Sequence, residues 1–175
     1  MQREAAEKYS GTKRDTQASV LLRPWYDFRI VHSFSRADFD PVPSVEVVLL
    51  DIEKRHKPLV SAPDAELYRK FVIYGYSRQR ANLGKSYKKV FSHLQWKRLA
   101  DDLGFDVHAQ PTDLAFEHWL GVFQFFTRGV RSGFVRAPSE MLASETSGAT
   151  PTTIGRIKTG RADERWKHRK AKQPR

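Results

Sequence analysis

The chain has 175 residues, of which 39% are hydrophobic, and its 31 Lys and Arg against 20 Asp and Glu give a formal net charge of +11. The lack of cysteine excludes disulfides, thiolate nucleophiles and Cys-ligated metals, and the apolar runs are far shorter than the ~20 residues needed to cross a bilayer. Because each cation that neutralises a phosphate releases a counterion, this charge favours a polyanionic partner over the alternative, a basic protein without one.

The N-terminal third of the chain predicts an α/β unit. Residues 2–9 are good helix formers and predict the last turns of a helix. Strands are predicted over 20–22 and 27–34, where β-branched and aromatic residues recur, in the second with period-2 alternation. The most apolar strand, 45–52, suits a sheet that is covered on both faces. Between these strands, two prolines stiffen a loop over 39–43.

Three expectations follow from the N-terminal residues. Its short helix begins at Met1 without a cap of its own, which predicts that further residues precede it in a longer protein. Its charged start does not resemble a signal peptide, so a cytoplasmic location is expected. A half-sheet without its other strands exposes an edge and an apolar face, so we expect the folded body to be fragile and prone to aggregation.

The middle of the chain has helical spacing. Asp64 is predicted to cap a first helix. Ser92 and Gln95 form a capping box for a second helix, which Gly104 ends. A third helix is predicted over 116–126, where apolar residues form one stripe. These helices predict a small all-α unit that follows the α/β unit.

The C-terminal part differs in composition from the rest. Residues 137–153 are rich in Ser, Thr, Ala and Pro without periodicity, and such a segment cannot bury enough apolar surface to offset its ordering entropy. We therefore predict disorder there. Residues 127–175 hold 12 Lys and Arg against 4 Asp and Glu, so most of the net charge lies in this tail.

A second concentration of charge lies in residues 69–98, called the basic block below. This block has no Asp or Glu, and its cations alternate with aromatic rings that could stack on unpaired bases. We predict nucleic-acid contact here; the alternative is that the rings fill a core and the cations only keep its outer face in water. The cations are Arg69, Lys70, Arg78, Arg80, Lys85, Lys88, Lys89, Lys97 and Arg98, and the rings are Phe71, Tyr74, Tyr76, Tyr87, Phe91 and Trp96.

Residue patterns for chemistry are weak elsewhere. The six histidines are scattered without metal-ligand spacing, which predicts no metal site. The ten glycines form none of the phosphate-binding loops, so no nucleotide or S-adenosylmethionine site is predicted from spacing. Asp101 and Asp102 are interpreted as a surface pair rather than an acid/base dyad.

Four segments in order resemble the Erm-type rRNA adenine N6-methyltransferases of the Erm/KsgA family. The opening QREAAEK resembles the helix after that family's catalytic loop, and FDPVPSV over 39–45 resembles its FxPxPxV motif. FSHLQWKRLADDLGF over 91–105 and FEHWLGVFQFF over 116–126 resemble the two C-terminal helices of the Erm branch. The resemblance covers residues 1 to about 130 and identifies the chain as the C-terminal portion of such an enzyme.

The resemblance implies a fold and a function. It implies an α/β fold with a partial Rossmann-like methyltransferase sheet over 1–60, a helical RNA-binding domain over 61–130 and a disordered basic tail over 131–175. The activity implied is S-adenosylmethionine-dependent methylation of adenine N6 in 23S rRNA, which confers macrolide, lincosamide and streptogramin B resistance. The family's target-adenine pocket maps to Phe39, Pro41 and Pro43, because the motif's Phe stacks on the flipped base.

The chain also departs from the family pattern. The family's Gly-rich donor loop and its acidic ribose-binding residue have no counterpart in this sequence. The Asn-(Ile/Leu)-Pro-(Tyr/Phe) loop is also missing, since the only asparagine is Asn82 in the basic block. We therefore expect no catalytic residue and no bound S-adenosylmethionine in this chain, which would be an inactive, truncated, monomeric portion that contacts rRNA. A smaller departure is Ala115, where the family has Ser or Thr to cap the last helix.

Two other functions remain open. The first is a stand-alone RNA-binding module without catalysis, which would use the basic block and the tail. The second is a DNA-binding regulator, but no helix-turn-helix pair with its short glycine turn stands out in the sequence. An in-frame Gly-rich loop encoded upstream of Met1 would favour the enzyme over the stand-alone module.

Overall fold

The computed structural model describes residues 1–77 and 82–142, which belong to one compact unit that extends over 1–145. Within the described residues, two strands and seven helices follow one another along the chain. They are α1 (Arg3–Ser10), α2 (Gln17–Leu22), β1 (Tyr26–Ser33), β2 (Val48–Lys54), α3 (Ala65–Tyr76), α4 (Leu83–Ser86), α5 (His93–Leu103), α6 (Phe116–Arg131) and α7 (Ser139–Leu142). The boundary predicted near residue 60 and the three-domain division stay predictions.

The strand predicted over 20–22 is wrong, because these residues end helix α2. Thr16 caps this helix through a capping box in which its side chain accepts from the Ser19 amide and the Ser19 hydroxyl accepts from the Thr16 amide. These local hydrogen bonds start a helix whatever the strand preference of the three apolar residues that follow. Val20 is fully buried there, and its carbonyl accepts a hydrogen bond of 2.8 Å from the Tyr68 hydroxyl.

The two strands form an antiparallel hairpin sheet, in register from Tyr26 opposite Lys54 to Ser33 opposite Val48, with an irregularity after Ile30. The strand predicted over 27–34 is confirmed, but β2 begins three residues later than predicted. The expectation that other elements cover β2 on both faces of the sheet is wrong, since Leu49 and Ile52 are 51% and 54% exposed.

Polar contacts explain why one face of this sheet lies in water. Arg29 of β1 pairs across the sheet with Asp51 and Glu53 of β2, at 2.9 and 3.2 Å. At the start of β2 the N-terminus adds backbone hydrogen bonds, because the Val48 amide donates to Met1 and the Arg3 amide donates to Glu46. The exposure of Leu49, which lies on the same face as Asp51 and Glu53, agrees with the expectation of an uncovered face, while the aggregation expected from it stays a prediction.

The three longer helices α3, α5 and α6 pack around an aromatic core. Phe71 stacks on Tyr87 at 4.7 Å between ring centroids and lies against Phe126 at 5.0 Å. Gly75 of α3 permits this packing, because an added Cβ would lie 2.6 Å from both the Tyr87 hydroxyl and the Trp119 ring. Burial raises the pKa of the Tyr87 hydroxyl well above its usual range, so it stays neutral and donates to the Phe71 carbonyl.

The predicted helix ends are confirmed where local hydrogen bonds define them. The Ser92 and Gln95 capping box begins α5, and Gly104 ends it in the left-handed conformation at φ 76°. Asp64 precedes α3 as predicted but makes no capping hydrogen bond. Its carboxylate accepts from the Ser61 hydroxyl and from Arg131, and these two contacts, the first above all, lower the pKa of Asp64.

The disorder predicted for 137–153 is wrong for its first residues, because α7 forms there and its Met141 is fully buried in the core. Val135 is buried in the same core. Composition is an average over the whole segment and does not show the effect of a single residue. One buried apolar side chain, Met141, is enough to dock α7 against α3. Residues 143–153 and the remainder of the predicted tail lie outside the described residues.

This docking predicts a measurable loss of stability. Met141→Ala should lower the free energy of unfolding by about 2–5 kcal/mol, because it removes a fully buried side chain and leaves a cavity. The neighbouring Leu142 is 46% exposed, so Leu142→Ala serves as the control and should cost less than about 1 kcal/mol. Equal urea midpoints for the two variants would contradict the docked position of α7.

Candidate nucleic-acid interface

The aromatic rings of the basic block are core residues and do not form a stacking platform. All six are buried, from Phe71, which is completely buried, to Tyr76, which is 9% exposed. The prediction that they could stack on bases is therefore wrong for the folded chain, and the alternative that they fill a core is correct. Their packing explains it: each ring already has aromatic partners, such as Tyr76 on Trp119 at 5.2 Å.

Several cations of the basic block have carboxylate partners that lie outside it in the sequence. Arg69 and Lys70 approach Glu66 one turn earlier on α3, at 3.6 and 4.0 Å. Arg98 lies 3.9 Å from Asp102 on α5. Flanking helical turns thus supply carboxylate partners for some cations of the block, although no acidic residue lies between 69 and 98.

Lys89 is balanced across the fold by Glu140 of α7, which comes 51 residues later in the chain. Three lysines, Lys85, Lys88 and Lys97, are exposed and form no ion pair with any residue in 1–77 or 82–142. Arg78 and Arg80 lie outside the described residues. The candidate phosphate-binding groups that the structure describes are thus these three lysines.

A cleft of about 350 Å³ opens beside two of these lysines, between α4 and the first turn of α5. Gly84, Phe91, Trp96 and Val107 form its apolar walls. The polar groups at the cleft are Asn82, Lys85, Lys88, Ser92, His93 and His108. No acidic side chain lines this cleft, so its electrostatic character is cationic.

Local sequence explains the shape of the cleft. Asn82 caps the single turn α4 by accepting from the Lys85 amide at 2.9 Å. Gly84 lets this turn lie against the Trp96 indole, since an added Cβ would lie 2.7 Å from the indole nitrogen. That indole N–H donates to the Val107 carbonyl at 3.0 Å, which holds the 107–108 loop against α5.

Sequence reasoning missed Asn82, His93 and His108 as members of this site. Asn82 and His93 lie inside the basic block, but the prediction named only its cations and aromatic rings. His108 lies ten residues beyond the block, and its ring nitrogen comes to 3.5 Å from the Asn82 amide nitrogen only through the fold. The local signal that could have indicated Asn82 is a helix-capping residue that lies between Arg80 and Lys85 in the sequence.

The predicted adenine-pocket residues lie on the loop between β1 and β2, away from the basic block in the sequence. Phe39 is half-buried and packs edge-on against Phe34 at 5.7 Å. Pro41 is exposed and Pro43 is half-buried. None of the three lines the cleft described above or the second cleft near Asp64. Their role in adenine binding stays a prediction.

The described part of the chain contains neither a metal-ligand cluster nor a membrane-spanning helix. Its His, Asp and Glu side chains form no group of three that could hold a metal ion. None of its helices has the length and apolar character needed to span a membrane.

Comparisons with known proteins agree on the class of protein. The family model described as ribosomal RNA adenine dimethylase matches residues 1–128. Over 132 residues the chain is 29% identical to the mycinamicin-resistance protein MyrB of Micromonospora griseorubida, covering 72% of this chain and 40% of MyrB. Over 147 residues it is 29% identical to an rRNA adenine N-6-methyltransferase of Aeromicrobium erythreum, covering 79% of this chain and 41% of that protein.

A solved structure shares the fold. The crystal structure of the 23S rRNA methyltransferase ErmE aligns with a TM-score of 0.65 and 24% identity, over 72% of this chain and 52% of that one. The chain thus spans about two fifths to one half of the length of these relatives. The resemblance predicted for residues 1 to about 130 is confirmed at the level of the family, since the family model covers nearly the same residues. The chain belongs to the ribosomal RNA adenine dimethylase family.

Proposed function

We propose that this chain is the rRNA-binding, C-terminal portion of an Erm-type adenine N6-methyltransferase whose substrate is 23S rRNA. The observation that carries the proposal is the group of exposed lysines at one side of the helical core that form no ion pair within residues 1–77 and 82–142. Lys85 and Lys88 border the cleft, and Lys97 lies one helical turn beyond His93 on the same face of α5. A lysine without a carboxylate partner can bind a phosphate and release its counterion, and no ion pair within the protein has to break first.

The methyl donor does not fit the residues present. In the family pattern, S-adenosylmethionine needs a Gly-rich loop beside an acidic side chain. The two carboxylates that come closest to such a setting are already engaged: Asp15, beside Gly11, pairs with Arg23, and Asp64, at the second cleft, pairs with Arg131. No step of methyl transfer is therefore assigned to this chain, and we propose that it is inactive by itself.

For the longer enzyme, the proposal assigns Phe39 to the target adenine. A half-buried ring on a loop with two prolines loses little conformational entropy when it stacks on a base taken out of its helix. The loop is also held at its two ends, because the Arg3 guanidinium bonds both Glu46 and the Ser33 hydroxyl, each at 2.6 Å. Resistance to macrolide, lincosamide and streptogramin B antibiotics would follow from that activity.

The second candidate is a stand-alone RNA-binding module without catalysis. It is favoured by the same lysines together with the poor fit to the methyl donor. Both candidates require RNA binding by the helical part, so that property is the one to test first.

The test removes the three unpaired lysines together. Lys85→Gln, Lys88→Gln and Lys97→Gln in the full chain should weaken binding to an rRNA hairpin, and the plot of log affinity against log salt should flatten by roughly 0.7–0.9 per lost contact. The basic tail adds to both slopes alike, so it cancels in the difference between variant and parent.

The matched control is Lys54→Gln with Lys57→Gln, because both lysines are exposed near the sheet and make no ion pair within the described residues. This control should leave the salt slope unchanged. An unchanged slope in the triple variant would overturn the proposed role of the helical face.

A further inference from the structure

The cleft beside Lys85 and Lys88 combines two kinds of surface that nucleotides require. Its walls include the Trp96 and Phe91 edges, which are apolar and fixed by core packing. Its rim is polar and cationic, with two lysines that have no carboxylate partner in the described residues. An apolar pocket with a few convergent polar groups is the usual form of a small-ligand site.

The size of the cleft limits what can enter it. About 350 Å³ lies at the low end of the ~300–1,000 Å³ range of ligand pockets, which suits one nucleotide and excludes a base pair with its two backbones. Sequence-selective proteins reach RNA bases where these are unpaired and splayed out of a loop or bulge, because the deep groove of the duplex is closed to side chains.

We propose that this cleft binds one unpaired nucleotide of the RNA, with the base in the apolar space between Gly84 and Val107 and the phosphate at Lys85 and Lys88. The inference rests on the proposed RNA binding and adds to it a preference for the form of the RNA. It concerns a site apart from the Phe39 loop, so the nucleotide bound here is not the methylated adenine.

Two side chains at the rim can hydrogen-bond the base. The Asn82 side-chain oxygen accepts from the Lys85 amide and its amide nitrogen lies 3.5 Å from the His108 ring nitrogen, which leaves one amide N–H to donate to a base. His108 lies at the same rim, and its main chain is held by the hydrogen bond from its own amide to Asp106 at 2.8 Å. A fixed main chain keeps the ring at the cleft without a large entropic cost on binding.

The experiment compares two RNA hairpins that differ by one bulged nucleotide, using the full chain. The parent chain should bind the bulged hairpin about tenfold more tightly, because the unpaired base adds contacts in the apolar cleft that a fully paired hairpin cannot make. His108→Ala and Lys88→Gln, both at exposed side chains, should bring this ratio close to one. The control Lys97→Gln should weaken binding to both hairpins alike and keep the ratio, because Lys97 does not line the cleft.

The outcomes separate this inference from the proposed function. If the parent binds both hairpins equally, or if neither cleft variant alters the ratio, the cleft does not take an unpaired nucleotide, while RNA binding by the lysines stands. If the parent binds neither hairpin, both proposals are wrong. Retained circular dichroism and thermal melting in each variant establish that the change is local.

Discussion

Asp15→Ala is expected to lower the free energy of unfolding by about 3–5 kcal/mol, because it breaks a buried charge pair by removing one partner. The Asp15 side chain is only 7% exposed. Its oxygens accept from the Arg23 guanidinium at 3.0 Å and from the Ser19 hydroxyl at 2.9 Å. Without the carboxylate, each donor loses its buried acidic partner, and the Glu117 contact of Arg23 and the hydrogen bond from Ser19 to the Thr16 carbonyl are left.

The same carboxylate also caps helix α6 from a distance of 101 residues in sequence. The Phe116 amide donates to it at 2.8 Å, and Ala115, the residue at the capping position, has no side chain that could do so. The smaller departure from the family pattern at Ala115 is thereby compensated by a side chain between α1 and α2. Arg23 adds to this junction, since its guanidinium lies 4.4 Å from the centre of the Phe116 ring.

Glu117→Ala is the matched control for Asp15→Ala. Glu117 pairs with the same arginine at 3.1 Å, but its side chain is 68% exposed. An exposed ion pair contributes about 0–1 kcal/mol, so the control should hardly change the urea midpoint. Midpoints that fall equally in the two variants would contradict the buried role of Asp15.

Phe71→Ala should likewise cost about 3–5 kcal/mol, because it empties the centre of the aromatic core. Phe71 is completely buried and has ring contacts with Tyr87, Trp119, Phe123 and Phe126. Trp119, Phe123 and Phe126 lie on α6 and Tyr87 follows α4, so these rings cannot fill the space without a movement of α6.

The outcome of this substitution distinguishes a core role from RNA stacking. Phe134→Ala is the control, since Phe134 is 55% exposed and should cost less than about 1 kcal/mol. Phe71→Leu retains most of the volume, so it should fold and bind an rRNA hairpin with the affinity of the parent. A folded Phe71→Leu chain with a tenfold weaker affinity would show that this ring contacts RNA after all.

Local signals in the sequence predicted the helical part well. Both ends of helix α5 were predicted, because a capping box and a left-handed glycine form hydrogen bonds only with residues a few positions away in the sequence. The capping box at Thr16 and Ser19 was not predicted, because its second residue is Ser rather than the usual Glu or Gln.

Contacts between distant residues could not be predicted in this way. The partner of Lys89 is 51 residues away, and the partner of the Phe116 amide is 101 residues away. For the candidate site, counting charges over 69–98 could not distinguish paired from unpaired cations, and RNA contact by this region stays a prediction. Which cations are free depends on the turn of α3 that carries Glu66 and on the docking of α7.

The most direct test of RNA binding by the helical face is a map of contacts on the full chain. The protein is irradiated with an rRNA hairpin that carries photoreactive uridines, and the cross-linked peptides are identified by mass spectrometry. The account predicts cross-links within residues 82–98, where Lys85, Lys88 and Lys97 lie, beside any in the basic residues after 142. Cross-links that leave residues 82–98 entirely unmodified would contradict it.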